Sequence, residues 1–395
     1  MNILKINQSD IEITPEMSQS VIIAGLCHNL GHGPFSYPFT DFVRENLHIT
    51  NWDHTKQTCL ILEDLVDTNA IDIPKEQLNV IMDLISGKQL FSSSAPAWLF
   101  QILNNKTNSI DVDKFDFITR DTYKLGVQNQ SIDYDILLNN ARIIDDNICF
   151  REKDAFSLYE LFQCKYRLFK EFYLHRVSKG VDLMIKDIFA EANRVYDFKA
   201  YLEDPKLFVE LKDSILTEIL YSDDNELNTA RDIIKRIHKR ELYKFVGEYI
   251  CNSGNAGLEK FLNLKEEDIV NCSTSGHDQL ERGDIRIMKY NLNFGKGEED
   301  PLNYVKFYDN KSHPYKSKNL DKSEISYMMS NDFSEIIIRV YVVNHTKLKA
   351  AKKAFLKFCN DKAGDSPNFY EKEYSSRYNR SAMKSGKKLF MKNEL

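Results

Sequence analysis

One short stretch constrains this chain more than any other: Ala24-Gly25-Leu26-Cys27-His28-Asn29-Leu30-Gly31-His32-Gly33-Pro34-Phe35-Ser36. An apolar run from Val21 to Leu26 has helical character and ends in a histidine, a carboxamide and a Gly-His-Gly-Pro break. Glycine and proline stop a helix where its last side chains can face a pocket. His28 and His32 stand four apart, which a continuing helix would place on one face, but Gly31, Gly33 and Pro34 argue against continuation. A bland reading is a helix C-terminus that carries polar residues. Two histidines, a breaker and an apolar run together favour a site.

The bulk of the chain bounds the rest. It has 395 residues, 42% of them hydrophobic and 12% aromatic, enough for one large domain or two ordinary ones with a substantial core. The net charge of −6 rules out a general polycation, so any nucleic-acid surface must be a local patch. Seven cysteines, with no CxxC pair, fit a reduced intracellular compartment, nuclear or cytoplasmic. No apolar run reaches membrane-spanning length and the start is not a signal peptide, so no membrane partner is expected.

In chain order, Thr14-Pro15-Glu16 reads as an N-cap, a proline at the first helical position and an acid at the positive dipole end. A helix over about 15–30 comes next, then a loop and short helix rich in aromatics (Phe35, Tyr37, Phe39, Phe42). Asn51-Trp52-Asp53-His54 opens a second helix, and residues 73–104 read as helices punctuated by Ile73-Pro74. From Asn108 to Asp121, Asp113, Phe117 and Asp121 step by four and share a helical face. Taken alone, those acids among Lys114, Arg120 and Lys124 are solvated i,i+4 pairs. A short helix and a hairpin around Asp145-Asp146-Asn147 lead to helical stretches over 154–196 and 197–250, the last breaking at Gly247. Residues 251–283 read as a mobile loop and domain boundary. Asp284–Tyr290 and Glu335–Val343 are strand-like, and Lys347–Cys359 is an amphipathic helix. The tail from Glu371 carries seven Lys or Arg against three Glu. The expectation is a mostly α chain: a helical domain over 1–250, a loop over 251–283, an α+β C-terminal lobe over 284–370 and a basic tail over 371–395.

The run leucine-cysteine-histidine-X-leucine-glycine-histidine-glycine-proline-phenylalanine-serine resembles the HD phosphohydrolases, above all the dNTP triphosphohydrolases of the SAM-and-HD-domain type. The family has aspartate at X, where this chain has Asn29. The resemblance implies an all-helical HD-domain core with a small α+β C-terminal lobe. It implies hydrolysis of a dNTP to a deoxynucleoside and triphosphate with a divalent metal (iron, manganese, zinc or magnesium). His28, Asn29 and Asp113 match metal-ligand positions. A further family histidine lies upstream, beyond the 27 residues that precede His28 here. His32 and His54 match acid/base positions, while Tyr37 replaces a family histidine. Lys114 matches a phosphate contact and Asp121 a sugar-hydroxyl contact, and Phe117 replaces a tyrosine. Lys165 stands where the family has an arginine on the phosphates. Tyr173 matches a residue that packs on the deoxyribose and excludes a 2′-hydroxyl. Arg151, Lys153 and Arg240 match contacts to an activating nucleotide, but Ile136 and Asn140 replace an arginine and an aromatic of that site.

With two of four family metal ligands missing, the expected function is a degenerate dNTP triphosphohydrolase, a pseudoenzyme with absent or strongly reduced activity. The partners implied are dNTP or GTP-like nucleotides, single-stranded nucleic acid, and a second copy in a homodimer or a full-length relative in co-assembly. The alternatives are an active metal-dependent phosphohydrolase and an engineered inactive version of one.

Overall fold

The structure, a computed structural model, describes residues 1–92, 95–127, 132–255, 258–274 and 279–363. The basic tail over 371–395 lies outside the described residues. The first long helix, Pro15–Cys27, begins as its residues dictate: the Thr14 hydroxyl accepts from the Met17 amide at 3.1 Å, Pro15 fills the first helical position and Glu16 sits in the first turn. It ends at Cys27, so His28 is the C-cap and the turns over 28–34 carry Asn29 and His32 away from any shared helical face. Helices Tyr37–Glu45, His54–Thr68 and Lys75–Ser86 come after it. The Val112–Leu125 helix is capped at both ends, by the Asp111 carboxylate on the Lys114 amide (3.1 Å) and by Gly126 in the left-handed region at φ 65°. Helix Ala155–Leu168 runs into a π-turn, Phe169–Tyr173, and then into the long Arg176–Tyr196 helix.

Among the described residues, two sheets complete the fold. Strands β1 (Arg142–Ile144) and β2 (Asn147–Arg151) form the expected hairpin, with Asp145 and Asp146 both at positive φ (52° and 58°), the geometry of a two-residue turn between twisted strands. Strand β3 is Lys244–Cys251, β4 is Ile285–Asn293, β5 is Lys306–Asp309, β6 is His313–Lys318 and β7 is Ser334–Val342. One sheet has the order β1-β2-β5-β6, the other β3-β7-β4.

Three expectations are corrected here. The helical reading over 197–250, with its break at Gly247, ends early: the last helix stops at His238 and β3 begins at Lys244, because the chain there pairs antiparallel with β7. The stretch 251–283 is not one loop, since it holds helices Leu258–Leu262 and Glu266–Asn271, whose Phe261 and Ile269 are buried in the C-terminal core. The boundary at 250 is also not a clean one. β3 belongs to the C-terminal sheet, and β5 pairs in parallel with β2 of the helical part.

Three large cores result. The first gathers the Pro15–Cys27, Lys75–Ser86 and Ala155–Leu168 helices. The second is built around Phe39, Phe42, Phe189 and Phe198, with rings packed edge to face (Phe39–Phe189 centroids 5.4 Å apart). The third lies between the β3-β7-β4 sheet and the Leu348–Ala363 helix. The His54–Thr68 helix contributes to the first two through Leu62 and Ile61, and the His28 turn lies against it. All seven cysteines are free thiols, and no helix among the described residues is long and apolar enough to cross a membrane.

Candidate active site

The His28 turn is held by close packing. Thr58 Oγ1 donates to the backbone oxygens of His28 (3.2 Å) and His54 (2.9 Å) and accepts from the Gly31 amide (2.9 Å). A Cβ on Gly31 would lie 2.1 Å from His54 O, and one on Gly33 would lie 2.1 Å from Phe39 Cδ1. Both glycines are therefore required by close approach as much as by helix termination. Phe35 and Ser36 sit at positive φ (59° and 58°), a strained conformation held in part by the Phe35 amide donating to Asp213 Oδ1 at 2.8 Å.

That turn brings His28 to Asp113, 85 residues away in sequence: His28 Nε2 lies 3.2 Å from Asp113 Oδ1. The opposite ring nitrogen, Nδ1, is 2.7 Å from Gly25 O and donates to it, which leaves the Nε2 lone pair facing the cleft in the neutral ring. Asn29 Nδ2 lies 2.9 Å from Nε2 and donates to that lone pair when the ring is neutral, whereas in the protonated ring Nε2–H donates to Asp113 instead. The Asp113 hydrogen bond, the largest influence, raises the His28 pKa above its ordinary value. Burial pushes the Asp113 carboxyl up, but the His28 hydrogen bond and charge outweigh it and hold the pKa low.

Next to this corner His32 and His54 stack, ring centroids 4.0 Å apart and planes 12° from parallel. His32 Nδ1 is 3.1 Å from Ser36 Oγ. Burial, then the nearby His54 and His28 charges, push the His32 pKa down to about 4. Burial also lowers His54. Both rings are then neutral at pH 7, and suited to accept a proton rather than to store one for a leaving group. Tyr37, at the start of its helix, faces the same cleft: burial and the Asp113 charge raise its hydroxyl pKa, and Lys179 Nζ lies 5.8 Å from its ring centroid.

Beside this corner, along the Val112–Leu125 helix, lies a cationic and aromatic group of side chains. Lys114 Nζ is 2.8 Å from Asp111 Oδ2, the same oxygen that accepts the Asn105 amide at 3.0 Å. Lys165, in the last turn of its helix, makes no ion pair among the described residues. Burial, and after it the Lys114 charge, pushes its pKa down to about 8. The Tyr173 hydroxyl donates to Asp121 Oδ2. Phe117 packs against the first core from a partly buried position. Sequence reasoning missed Lys106, whose pKa is lowered by burial and by Lys114. Its only signal was its place beside Asn105, whose side chain ties the loop that leads to Asp111.

The candidate activator contacts lie on separate elements of this chain. Arg151 Nη2 donates to Asp154 Oδ1 at 2.8 Å, Lys153 is exposed, and Arg240 lies between the Asn228–His238 helix and β3. No hydrogen bond or ion pair among the described residues joins Arg240 to the other two.

The donor set can be tested against a divalent cation. It offers one imidazole, one carboxylate and one neutral amide, and the amide nitrogen already occupies the imidazole lone pair. No group of three His, Cys, Asp or Glu among the described residues could hold a metal ion. Of these three groups only the Asp113 carboxylate is a charged oxygen donor, the kind that a hard cation favours.

A helix-end histidine facing an aspartate from a distant helix, inside a mostly helical core, is the layout of an HD-domain hydrolase. Comparison with known proteins makes the class particular. The chain is 35% identical over 368 residues to the deoxynucleoside triphosphate triphosphohydrolase SAMHD1 homolog of Dictyostelium discoideum, covering 93% of this chain and 70% of that protein. It is 33% identical over 392 residues to deoxynucleoside triphosphate triphosphohydrolase SAMHD1 of Bos taurus, covering 89% of this chain and 66% of the relative. A putative HD domain-containing protein, L394, of Acanthamoeba polyphaga mimivirus is 26% identical over 380 residues. No family model matches the chain. The chain belongs to the SAMHD1-type deoxynucleoside triphosphate triphosphohydrolase family, and it spans about two thirds of the length of the SAMHD1 relatives it matches.

Proposed function

We propose that this chain binds deoxynucleoside triphosphates in the cleft between His28 and Tyr173 but hydrolyses them slowly or not at all. The observation that carries this reading is Asn29, whose amide donates to His28 Nε2 at 2.9 Å. An aspartate there would supply a negative oxygen to a cation; asparagine supplies a neutral group and takes up the neighbouring lone pair. On this reading Lys165 and Lys114 meet the phosphates, and Asp121 and Tyr173 meet the sugar. Lys165 supports it directly, as a desolvated cation with no carboxylate partner among the described residues. The reading extends to assembly with a second copy or a longer relative, for which Ile22, Leu26 and Leu30 offer exposed apolar surface beside the site.

The experiment is a paired measurement on the chain and its Asn29→Asp variant: metal content, dGTP binding by calorimetry and triphosphate release. The expected result is nucleotide binding by both, with weak metal retention and slow release by the unmodified chain. Stoichiometric metal and robust triphosphate release from the unmodified chain would instead establish an active hydrolase, with the neutral His32–His54 pair as its proton acceptors.

A further inference from the structure

Strand β7 is buried on both faces, and only one of them is accounted for by the C-terminal core. Its even-numbered residues, Ile336, Ile338, Val340 and Val342, fill that core. Pleating turns the odd-numbered residues the other way, toward the segment that begins after Lys165. Glu335 accepts from Lys170 Nζ and lies 3.5 Å from the Tyr166 hydroxyl. Ile337 packs with Leu174 and Leu292. Arg339 donates through Nη1 to the Leu174 carbonyl oxygen and through Nε to Glu248 Oε2 at 2.8 Å. The Tyr341 hydroxyl donates to the Arg176 carbonyl oxygen at 2.9 Å. Four successive rungs of one strand face thus engage the chain from Tyr166 to Arg176.

That chain includes the π-turn. The Leu174 amide reaches back to Phe169 O at 2.8 Å, an i→i+5 bond that inserts one residue and so rotates the succeeding residues by about 100° relative to an unbroken α-helix. Tyr173 is the last residue of the turn, with its ring edge-on to Phe169 at 4.9 Å. The carbonyl held by Arg339 belongs to the very next residue. Arg339 is only 8% exposed, and an apolar side chain could fill its space without the cost of desolvating a guanidinium. What the guanidinium adds is direction, because its planar fork fixes one carbonyl and one carboxylate at once.

We propose that the odd-numbered face of β7 is a template that sets the position of Tyr173, and that Arg339 and Glu335 are positioning residues for discrimination between deoxyribose and ribose nucleotides. This rests on the proposed function, in which Tyr173 meets the sugar. Neither residue touches the nucleotide on this account.

The test measures dGTP and GTP affinity by calorimetry for the full chain, with thermal melting alongside. The unmodified chain prefers dGTP, and Tyr173→Ala loses that preference. Arg339→Gln and Glu335→Gln lower the dGTP-to-GTP affinity ratio about tenfold, and Arg339→Lys restores part of it. A purely structural role lowers melting or both affinities together and leaves the ratio alone. Should Arg339→Gln melt far below the unmodified chain, Glu335→Gln decides, since its carboxylate is 24% exposed and less costly to alter. Variants that melt normally and keep the full ratio overturn the template. If Tyr173→Ala itself leaves the ratio unchanged, the sugar-facing reading fails first. A chain that binds neither nucleotide overturns both.

Discussion

At the N-terminal end of the Val112–Leu125 helix, His28 and Asp113 face each other across 3.2 Å with a neutral amide alongside. Beside it along the same helix, Lys114, Lys165, Asp121 and Tyr173 supply cations, a carboxylate and an aromatic hydroxyl, and the turn that carries Tyr173 is held from behind by β7. The two corners share a helix and differ in what they can hold. A phosphate-bearing sugar needs cations and directed hydrogen bonds, and losing one of several weakens it by degrees. A hard cation needs several negative donors converging on one point, and exchanging one carboxylate for an amide removes a full charge. On the proposed reading, the same fold keeps the means to bind a nucleotide while losing the means to hold a metal.

The largest expected effect tests the binding wall. Lys165→Ala should weaken dGTP binding about 100-fold, as expected for loss of a charge-assisted hydrogen bond from a desolvated site, measured by calorimetry. Unchanged affinity would remove the wall from the comparison. Next is the frame of the opposite corner. Gly31→Ala forces a Cβ to within 2.1 Å of His54 O and should cost about 1–3 kcal/mol of stability, read from denaturant melts. A neutral result there would mean the turn is not pinned to the His54–Thr68 helix. Asn29→Asp should raise Mn²⁺ affinity about tenfold or more, measured by equilibrium dialysis. No gain would locate the defect elsewhere than the amide.

The smallest effect separates the two histidines by pH. His32 has a folded pKa of about 4 against an ordinary 6.5, so the unfolded chain binds the extra proton between those values. Its contribution to stability is full above about 6.5 and is lost as pH falls toward 4. For His28, raised by Asp113, the sign reverses: its contribution is present below 6.5 and is lost as pH rises through its folded pKa. Thermal melts between pH 4 and 8 should therefore show His32→Gln flattening the acid limb. His28→Gln should instead flatten the limb above 6.5. The same slope in both variants would show that the two rings share one environment.

The features legible in the chain's own residues were local. Thr14-Pro15-Glu16 starts its helix, and Asp145-Asp146-Asn147 turns its hairpin, because caps and tight turns close hydrogen bonds within a few residues. The periodic placement of Asp113, Phe117 and Asp121 on one helix was legible for the same reason. β3 was not legible: its first residues read as the end of a helix that breaks at Gly247, and only pairing with β7 makes Lys244–Cys251 a strand. Nor was Lys106, a loop lysine whose surroundings come from a separate helix.

The glycines show the division most clearly. Residue order alone dictates that the helix before His28 must stop, since Gly31, Gly33 and Pro34 forbid its continuation. It takes the folded arrangement to make Gly31 the point where a second helix passes too close for a side chain, and to bring Arg339, more than 160 residues beyond Tyr173, onto the neighbouring carbonyl. Local backbone preferences act over one or two turns of chain. Close approach, strand partnership and the burial of a charge depend on which distant segments arrive together, and no window of sequence contains both.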